Sequence, residues 1–326
     1  MAAEVPSESL SAVLRQYPPA GLRVIAPMEH GGRNDTFLVA DSGGRRYVLR
    51  RYRRNPDERR IRFQLAFQRE LLRRRYPTSE IVDSAAGPLV RAGSGIWVLF
   101  TYVEGSAYDY DSMAQVAEAG RRLAQFHLLT ADIDLEDVPL EVNPDARGWL
   151  THGEERLAAL DTLCAGLGVD EQLAFLRAWL RELVAAVPLA TFDALPGGWV
   201  HADFHGRNMV FAGDALAGLF DFDPLYRGRW LEDVAMSLFR FAREARQSFN
   251  IRQDAARLFL AEYERARPLT TDERRVLPHF GPLGWVERAA YYELVRRDGE
   301  DWLALFRLHV ATMRAVGVQL RQLAIG

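Results

Sequence analysis

The sequence predicts an α+β protein whose two lobes share a cleft. A chain of 326 residues, 48% hydrophobic and 26% charged, is longer than one compact core usually supports. Strand-like patterns concentrate before Gly105, whereas helical periodicity dominates after Met113. We therefore expect an N-terminal lobe, residues 1–105, with a mostly antiparallel five-stranded sheet and one helix, and a larger, mainly helical lobe, residues 106–326.

The expected N-terminal sheet rests on short apolar segments separated by turn residues. Asp41-Ser42-Gly43-Gly44 is typical of a hairpin turn, because Asp and Gly tolerate the backbone conformations of tight turns. Helical spacing of apolar residues begins after Asp57, and Pro77 ends it because proline cannot continue a helix. The predicted strands are 22–25, 36–40, 46–51, 89–90 and 96–102.

The helical lobe contains one strand-rich segment, from Trp199 to Asp223. Within it, the apolar runs Met209–Phe211 and Leu216–Phe222 flank Ala212-Gly213-Asp214-Ala215, a pattern typical of a hairpin. This order of elements is compatible with many activities, so function has to be inferred from individual side chains.

Charge is distributed unevenly along a chain with a net charge of -3. Residues 1–105 carry 17 basic and 11 acidic side chains, whereas residues 106–326 carry 24 and 33. The balance predicts no bulk attraction to nucleic acid, a first lobe that suits a polyanion such as a triphosphate, and a second lobe that suits a neutral or cationic acceptor. Ordinary solvated surfaces with unequal counts explain the same numbers equally well.

All 41 basic residues are arginine, which excludes covalent mechanisms that need a lysine amine. Cys164 is the only cysteine, so an internal disulfide is excluded. The sequence has no charged-then-apolar leader and no run of 18 apolar residues. These features predict a cytoplasmic protein that does not bind a membrane.

The segment from His201 to Asn208, followed by Phe220-Asp221-Phe222-Asp223, carries the strongest chemical signal. Phosphoryl transfer needs an oriented hydroxyl and cations across the phosphate oxygens. Asp203 can accept the hydroxyl proton, while Asn208 and Asp221 offer neutral and anionic oxygens to a magnesium ion. A hairpin brings its two ends together, so Asn208 and Asp221 can be neighbours. An Asp near an Asn is by itself more often a turn or cap pair, and only the combination of both motifs favours catalysis.

The spacing Asp-x-x-x-x-Asn, with a second Asp after a hairpin, resembles the catalytic loop and metal motif of protein kinases. The local sequence His-Ala-Asp-Phe-His-Gly-Arg-Asn is more similar to aminoglycoside phosphotransferases, type II homoserine kinases and choline kinases. The resemblance implies a bilobal protein-kinase-like fold with Asp203 as the catalytic base. It also implies Asn208 and Asp221 as Mg²⁺ ligands, and ATP or GTP as phosphoryl donor.

The resemblance extends to a nucleotide site in the first lobe. Gly31, Gly32 and Asn34 match a loop that covers phosphates, although two glycines between strands usually form only a hairpin. Arg50 stands where protein kinases place a lysine that binds phosphates. Glu70 is the predicted helix partner of Arg50, with Glu58 in reserve; the alternative for Glu70 is a solvated pair with Arg74.

Further nucleotide contacts are implied at the junction between the lobes and in the catalytic loop. The Thr101 carbonyl and Val103 amide are predicted to bind the adenine edge. His205 can approach the γ-phosphate or have a structural role. His201 is expected to support the loop, and Asp233 to brace it. For Asp223 two roles are open: it assists metal binding or polarises the substrate, or it forms a turn before Pro224.

We therefore expect a phosphotransferase that acts on a hydroxyl of a small metabolite or of an antibiotic. A protein kinase is disfavoured, because no Ala-Pro-Glu element follows Asp221. The alternative from another class is a pseudokinase or sequestering protein that binds nucleotide without turnover, motivated by Arg50 and Gly206-Arg207. The sequence leaves open the acceptor, the choice of ATP or GTP, and the oligomeric state.

Overall fold

The computed structural model describes residues 7–28, 34–52, 57–93, 95–136, 138 and 146–323. The N-terminal elements are α1 (Ser7–Leu14), β1 (Arg23–Met28), β2 (Asn34–Ala40), β3 (Arg46–Tyr52), α2 (Glu58–Arg73), β4 (Ile81–Val82), β5 (Val90–Ala92) and β6 (Gly95–Thr101). The elements that follow are α3 (Met113–Thr130), α4 (Ala146–Cys164), α5 (Asp170–Ala186), α6 (Leu189–Ala194), β7 (Gly197–Val200), β8 (Met209–Ala212), β9 (Ala215–Leu219), β10 (Tyr226–Arg229), α7 (Trp230–Ala242), α8 (Gln253–Ala266), α9 (Thr271–Leu283), α10 (Ala289–Arg297) and α11 (Trp302–Gln322). The α+β class, with an N-terminal antiparallel sheet and a helical remainder, is confirmed.

The N-terminal sheet has the strand order β1-β2-β3-β6-β4, and β5 pairs with β6. Within the described residues the sheet therefore has six strands, one more than predicted. The additional strand, β4, is two residues long and too short to show alternation in the sequence. Backbone hydrogen bonding fixes its position, because the Thr101 amide donates to the Glu80 carbonyl over 2.9 Å.

Helix α2 joins the sheet to the helical part of the protein. Ile61 and Leu65 pack with Val98 of β6, and Phe67 lies 5.3 Å from Trp199 between ring centroids. The helix ends at Arg73, before Pro77, as the sequence predicts. Because one helix has side chains in both cores, the sheet and the loop that follows Trp199 are held in a fixed relation.

The helical part has one large core to which most of its helices contribute. Close approach of α3 and α8 depends on Gly120, since a Cβ at this position would lie 2.3 Å from the Phe259 carbonyl oxygen. In the part of the chain that the structure describes, no helix combines the length and apolar character needed to cross a membrane. The predicted boundary at Gly105 lies in the connection between β6 and α3 and stays a prediction.

A buried carboxylate on α7 fixes the loop that follows β7. Asp233 is 1% exposed, and its two oxygens accept the backbone amides of His201 and Ala202 over 2.7 and 2.8 Å. His127, also buried, contacts Asp233 Oδ2 over 3.2 Å, and its other ring nitrogen lies 2.8 Å from the Tyr263 hydroxyl. The neutral Nε2–H form of His127 satisfies both contacts. Asp233 thereby has the bracing role proposed from the sequence.

Substituting Asp233→Asn is expected to lower the free energy of unfolding by about 2–3 kcal/mol, because the amide NH₂ would face a backbone N–H. Urea unfolding followed by circular dichroism measures this change. The matched control is Asp193→Asn, which alters a half-exposed pair with Arg147 and should leave the midpoint unchanged. An equal response of the two variants would contradict the bracing role.

His309 of α11 lies in an aromatic cluster beside α7. Its Nδ1 is 3.0 Å from the Tyr292 hydroxyl, and its ring faces Trp285 at 6.2 Å. Burial, assisted by repulsion from Arg240, lowers the pKa of His309 to about 4. The folded protein therefore holds this histidine neutral at a pH where an unfolded chain would protonate it.

Acid should destabilise the protein in the window between the unfolded pKa of about 6.5 and the folded pKa of His309. Below the unfolded pKa the unfolded chain binds a proton that the folded chain does not, so stability falls as pH falls. From pH 7.5 to 5.0 this group contributes a loss of about 2 kcal/mol, which His309→Gln should remove. Denaturant titrations at both pH values measure it. Replacing the exposed His152 by Gln should leave the acid-induced loss as in the wild type.

Candidate active site

Asp203 lies on the loop between β7 and the single 3₁₀ turn Gly206–Asn208. The loop turns sharply because Ala202 has a φ of +64°, a conformation held by the Asp233 contact at its amide. The Asp203 carboxylate accepts a hydrogen bond from Asn208 Nδ2 over 2.8 Å and lies 3.2 Å from His205 Nε2. Its other oxygen pairs with Arg240 Nη1.

Asn208 and Asp221 stand at the two ends of the β8–β9 hairpin, as predicted. The Phe220 amide donates to the Asn208 carbonyl over 2.8 Å, which places Asn208 beside the residue that precedes Asp221. Asp221 has a φ of +62°, so the chain leaves the strand abruptly there. The amide group of Asn208 donates to the carbonyl and the carboxylate of Asp203. Oδ1 is then the Asn208 side-chain atom left for a cation.

Arg50 of β3 reaches across to the segment after the hairpin. Its Nη2 lies 3.2 Å from Asp221 Oδ1 and 2.6 Å from Asp223 Oδ2. Asn34 of β2 donates to the same Asp223 oxygen over 3.1 Å. Three residues predicted to bind nucleotide or metal, Arg50, Asn34 and Asp221, therefore lie close together. Asp223 is their common neighbour.

The predicted pair between Arg50 and Glu70 is not formed. Glu70 instead pairs with Arg73 and approaches Arg74 at 3.9 Å, close to the alternative considered from the sequence. The reserve residue, Glu58, pairs with Arg62 and Arg91. Both glutamates lie on the partly exposed side of α2, because the apolar residues of the helix turn the opposite side towards the core.

The α2 side chains that face the segment after the β8–β9 hairpin are Arg60 and Gln64, which sequence reasoning missed. Arg60 is 5% exposed, and its guanidinium donates to the carbonyls of Asp223 and Leu225, the first over 2.8 Å. Gln64 Nε2 lies 3.5 Å from the Asp223 carbonyl. The signal available in the sequence is their spacing of four residues within an otherwise apolar helical stripe, which marks them as buried polar residues with partners.

The remaining predicted residues are less informative. Gly31 and Gly32 lie outside the described residues. Thr101 ends β6, where its hydroxyl accepts the Glu80 amide over 2.9 Å, and Val103 lies close to Gly218 of the hairpin. His205 contacts Asp203 and caps the 3₁₀ turn by accepting the Arg207 amide over 3.1 Å. Their contacts with a nucleotide stay predictions.

The pKa values of Asp203 and Asp223 are shifted in opposite directions. Burial works to raise the pKa of Asp203, but Arg240 and His205 hold it well below its usual range, so this carboxylate is ionised. Burial and repulsion from Asp221 raise the pKa of Asp223 to about 6, although Arg50 opposes the shift. The neighbouring carboxylates of Asp221 and Asp223 attract a cation, and the Arg50 guanidinium is the cation that pairs with them here.

Arg240 is the second residue that sequence reasoning missed. It lies seven positions after Asp233 on α7, two helical turns along the same face, and its guanidinium pairs with Asp203. The spacing from Asp233 is the signal that could have identified it. In the part of the chain described, no three His, Cys, Asp or Glu side chains are arranged to hold a metal by themselves.

A sequence model of the APH phosphotransferase enzyme family matches residues 24–269 of this chain. A homoserine kinase of Chelativorans sp. (strain BNC1) is 29% identical, over 97% of this chain and 98% of that protein. A homoserine kinase of Rhodopseudomonas palustris (strain BisB18) is 32% identical, over 84% of this chain and 80% of its own length. The region matched by the family model includes Arg50, Asp203 and Asp221.

Solved structures with the same fold are also kinases. An aminoglycoside phosphotransferase from Alicyclobacillus acidocaldarius is 20% identical and superposes with a TM-score of 0.66, over 99% of this chain and 97% of its own. A microcompartment-associated aminopropanol kinase is 17% identical, with a TM-score of 0.67 over 96% of both chains. At these identities the likeness concerns the fold, which is that of protein-kinase-like enzymes. With the family match over three quarters of its length, the chain belongs to the phosphotransferase enzyme family and is a small-molecule kinase.

Proposed function

We propose that this chain transfers the γ-phosphoryl group of ATP or GTP to a hydroxyl of a small acceptor, with Asp203 as the base. The observation that carries the proposal is the chain of contacts that brings Asp203, Asn208 and Asp221 close together, with Arg50 of the sheet paired to Asp221. Phosphoryl transfer needs a positioned hydroxyl, a metal site and a cation on the phosphates, and these residues supply each of them.

The donor set fits Mg²⁺ bound mainly by its nucleotide. Asn208 Oδ1 and the Asp221 carboxylate are the oxygen ligands that would hold the ion, and hard cations prefer such oxygens. Bound there, Mg²⁺ would neutralise charge on the phosphate oxygens during transfer. A carboxylate pair that already attracts the Arg50 guanidinium supports a cation at this point of the cleft.

Asp203 has the contacts of an orienting base. Asn208, His205 and Arg240 fix its two oxygens, so the acceptor hydroxyl would meet a carboxylate of defined position. The low pKa of Asp203 makes it a hydrogen-bond acceptor for the hydroxyl, and it takes the proton as the new oxygen–phosphorus bond forms and the nucleoside diphosphate leaves. Arg50, which holds Asp221 and Asp223, would turn its remaining N–H groups to the phosphates.

Homoserine is the first acceptor to test, since the similar proteins from Chelativorans and Rhodopseudomonas are named homoserine kinases. Aminoglycosides and amino alcohols follow from the names of proteins with the same fold. We place the reaction in the cytoplasm, because a chain with a single cysteine has no internal disulfide that reducing conditions could break. Release of ADP or GDP in a coupled assay, run over this panel with each nucleotide, tests the proposal.

Replacing Asp203 by Asn should lower kcat/KM for the best acceptor by about 10²–10⁴-fold, since the amide cannot take the hydroxyl proton. Nucleotide affinity, measured by isothermal titration calorimetry with a non-hydrolysable analogue, should stay within a few fold. Asp214→Asn, in the exposed hairpin turn, is the matched control and should keep wild-type rates. Undiminished transfer by the Asp203 variant, or nucleotide binding without turnover of any acceptor by the wild type, contradicts the proposal.

Asp221→Asn should raise the Mg²⁺ concentration needed for half-maximal rate by at least tenfold, because a neutral amide replaces an anionic ligand. A MgCl₂ titration of the nucleotide-dependent rate measures this shift, and chelation by EDTA should abolish the wild-type rate. A lower maximal rate with an unchanged Mg²⁺ dependence would remove Asp221 from the metal site.

A further inference from the structure

Arg240 presents an unused hydrogen-bonding edge beside the proposed base. Its side chain is 14% exposed, and Nη1 donates to Asp203 Oδ1. Among the described residues, Asp203 supplies the only acceptor atoms that contact Arg240. A guanidinium carries five N–H donors in a rigid plane, so most of the donors of Arg240 remain available on the side away from this contact.

Aromatic packing helps to hold this guanidinium in place. Its central carbon lies 5.2 Å from the centroid of the Trp285 ring. Trp285 in turn packs edge-on against Phe239 at 5.9 Å, and a Cβ at the neighbouring Gly284 would overlap Met236 of α7 at 1.9 Å. Because α7 and the segment after α9 are in such close contact, Arg240 is held at the cleft by a packed wall.

Three acidic side chains of residues 106–326, Asp109, Glu232 and Glu244, already have hydrogen-bond partners. Asp109 accepts the Asp111 amide over 2.9 Å in an exposed turn. Glu232 caps α7 by accepting the Arg229 amide over 2.7 Å, and Glu244 contacts Ser248 over 3.2 Å. The charge next to Asp203 on the α7 side is therefore that of Arg240, opposite in sign to the net charge of residues 106–326.

We infer that Arg240 is a specificity residue that binds a carboxylate of the acceptor, so that the preferred substrates are small hydroxy amino acids or hydroxy acids. This inference rests on the proposed phosphotransferase function. One edge of the guanidinium holds Asp203, which receives the hydroxyl proton, and the other edge pairs with the carboxylate through parallel N–H···O bonds. A short chain between carboxylate and hydroxyl, as in homoserine, lets one molecule occupy both positions. Arg240 thereby orients the hydroxyl towards the base.

A cycle of two acceptors and matched variants tests this role. The acceptors are homoserine and 3-aminopropan-1-ol, which is homoserine with hydrogen in place of the carboxylate. Arg240→Gln should lower the ratio of kcat/KM for homoserine to that for aminopropanol by about 10–100-fold, mainly through the KM of homoserine, as expected for loss of a charged hydrogen-bonded pair. Arg240→Lys should recover part of this ratio, since it keeps the charge without the planar donors.

Arg243→Gln, at the end of the same helix and paired with Tyr110, is the control and should leave the ratio unchanged. Thermal melts establish that each variant is folded. An equal fall of both acceptors in Arg240→Gln and Arg240→Lys would mean that Arg240 only positions Asp203, and would overturn the inference. Wild-type turnover of acceptors without a carboxylate, and none of homoserine, would overturn it but leave the phosphotransferase proposal intact. Absence of turnover with every acceptor would overturn both.

Discussion

The carboxylate of Asp233 links the helical core to the chemistry of the cleft. It occupies the two backbone amides at the sharpest point of the loop, where Ala202 has a positive φ. A loop in that conformation needs external partners to persist, and buried amides need acceptors. Once the loop is fixed, the direction of Asp203 is determined within narrow limits. His201 extends the same constraint, since its ring contacts the Phe220 carbonyl next to Asp221.

A second set of contacts joins the sheet to this fixed loop. Arg50 reaches the two aspartates from β3, and Arg60 reaches the backbone of the same segment from α2. Arg50 forms ion pairs with carboxylate side chains, whereas Arg60 donates hydrogen bonds to backbone carbonyl groups. Because Arg60 binds backbone carbonyls, it positions the segment after the hairpin and leaves the carboxylates of Asp221 and Asp223 for the cation that we propose to bind there.

Local sequence patterns predicted what depends on local geometry. The loop around Asp203, the hairpin between Asn208 and Asp221, and helix α2 follow from turn residues, strand alternation and helical spacing within short segments. The partner of Arg50 could not be predicted in the same way, because the rotation of α2 against the sheet decides which polar side chains face the cleft. The rotation observed turns Gln64 towards the Asp223 carbonyl and Glu70 towards Arg73. Arg240 escaped notice because its contact with Asp203 requires α7 to pass beside the loop after β7, and its spacing from Asp233 indicates this only once Asp233 is known to brace that loop.

The cations around the cleft are all arginines, in a chain that contains no lysine. A guanidinium keeps its proton at every pH a cell experiences and has no free amine lone pair. The charge that we propose to face the phosphates is consequently permanent: Nε-acetylation, which acts on lysine, cannot remove it, and acidification does not alter it. Reagents that identify nucleotide-binding enzymes by acylating a lysine next to the phosphates have no lysine side chain to modify in this protein. Regulation by modification of a lysine amine is therefore closed to this protein, because its sequence contains no lysine side chain.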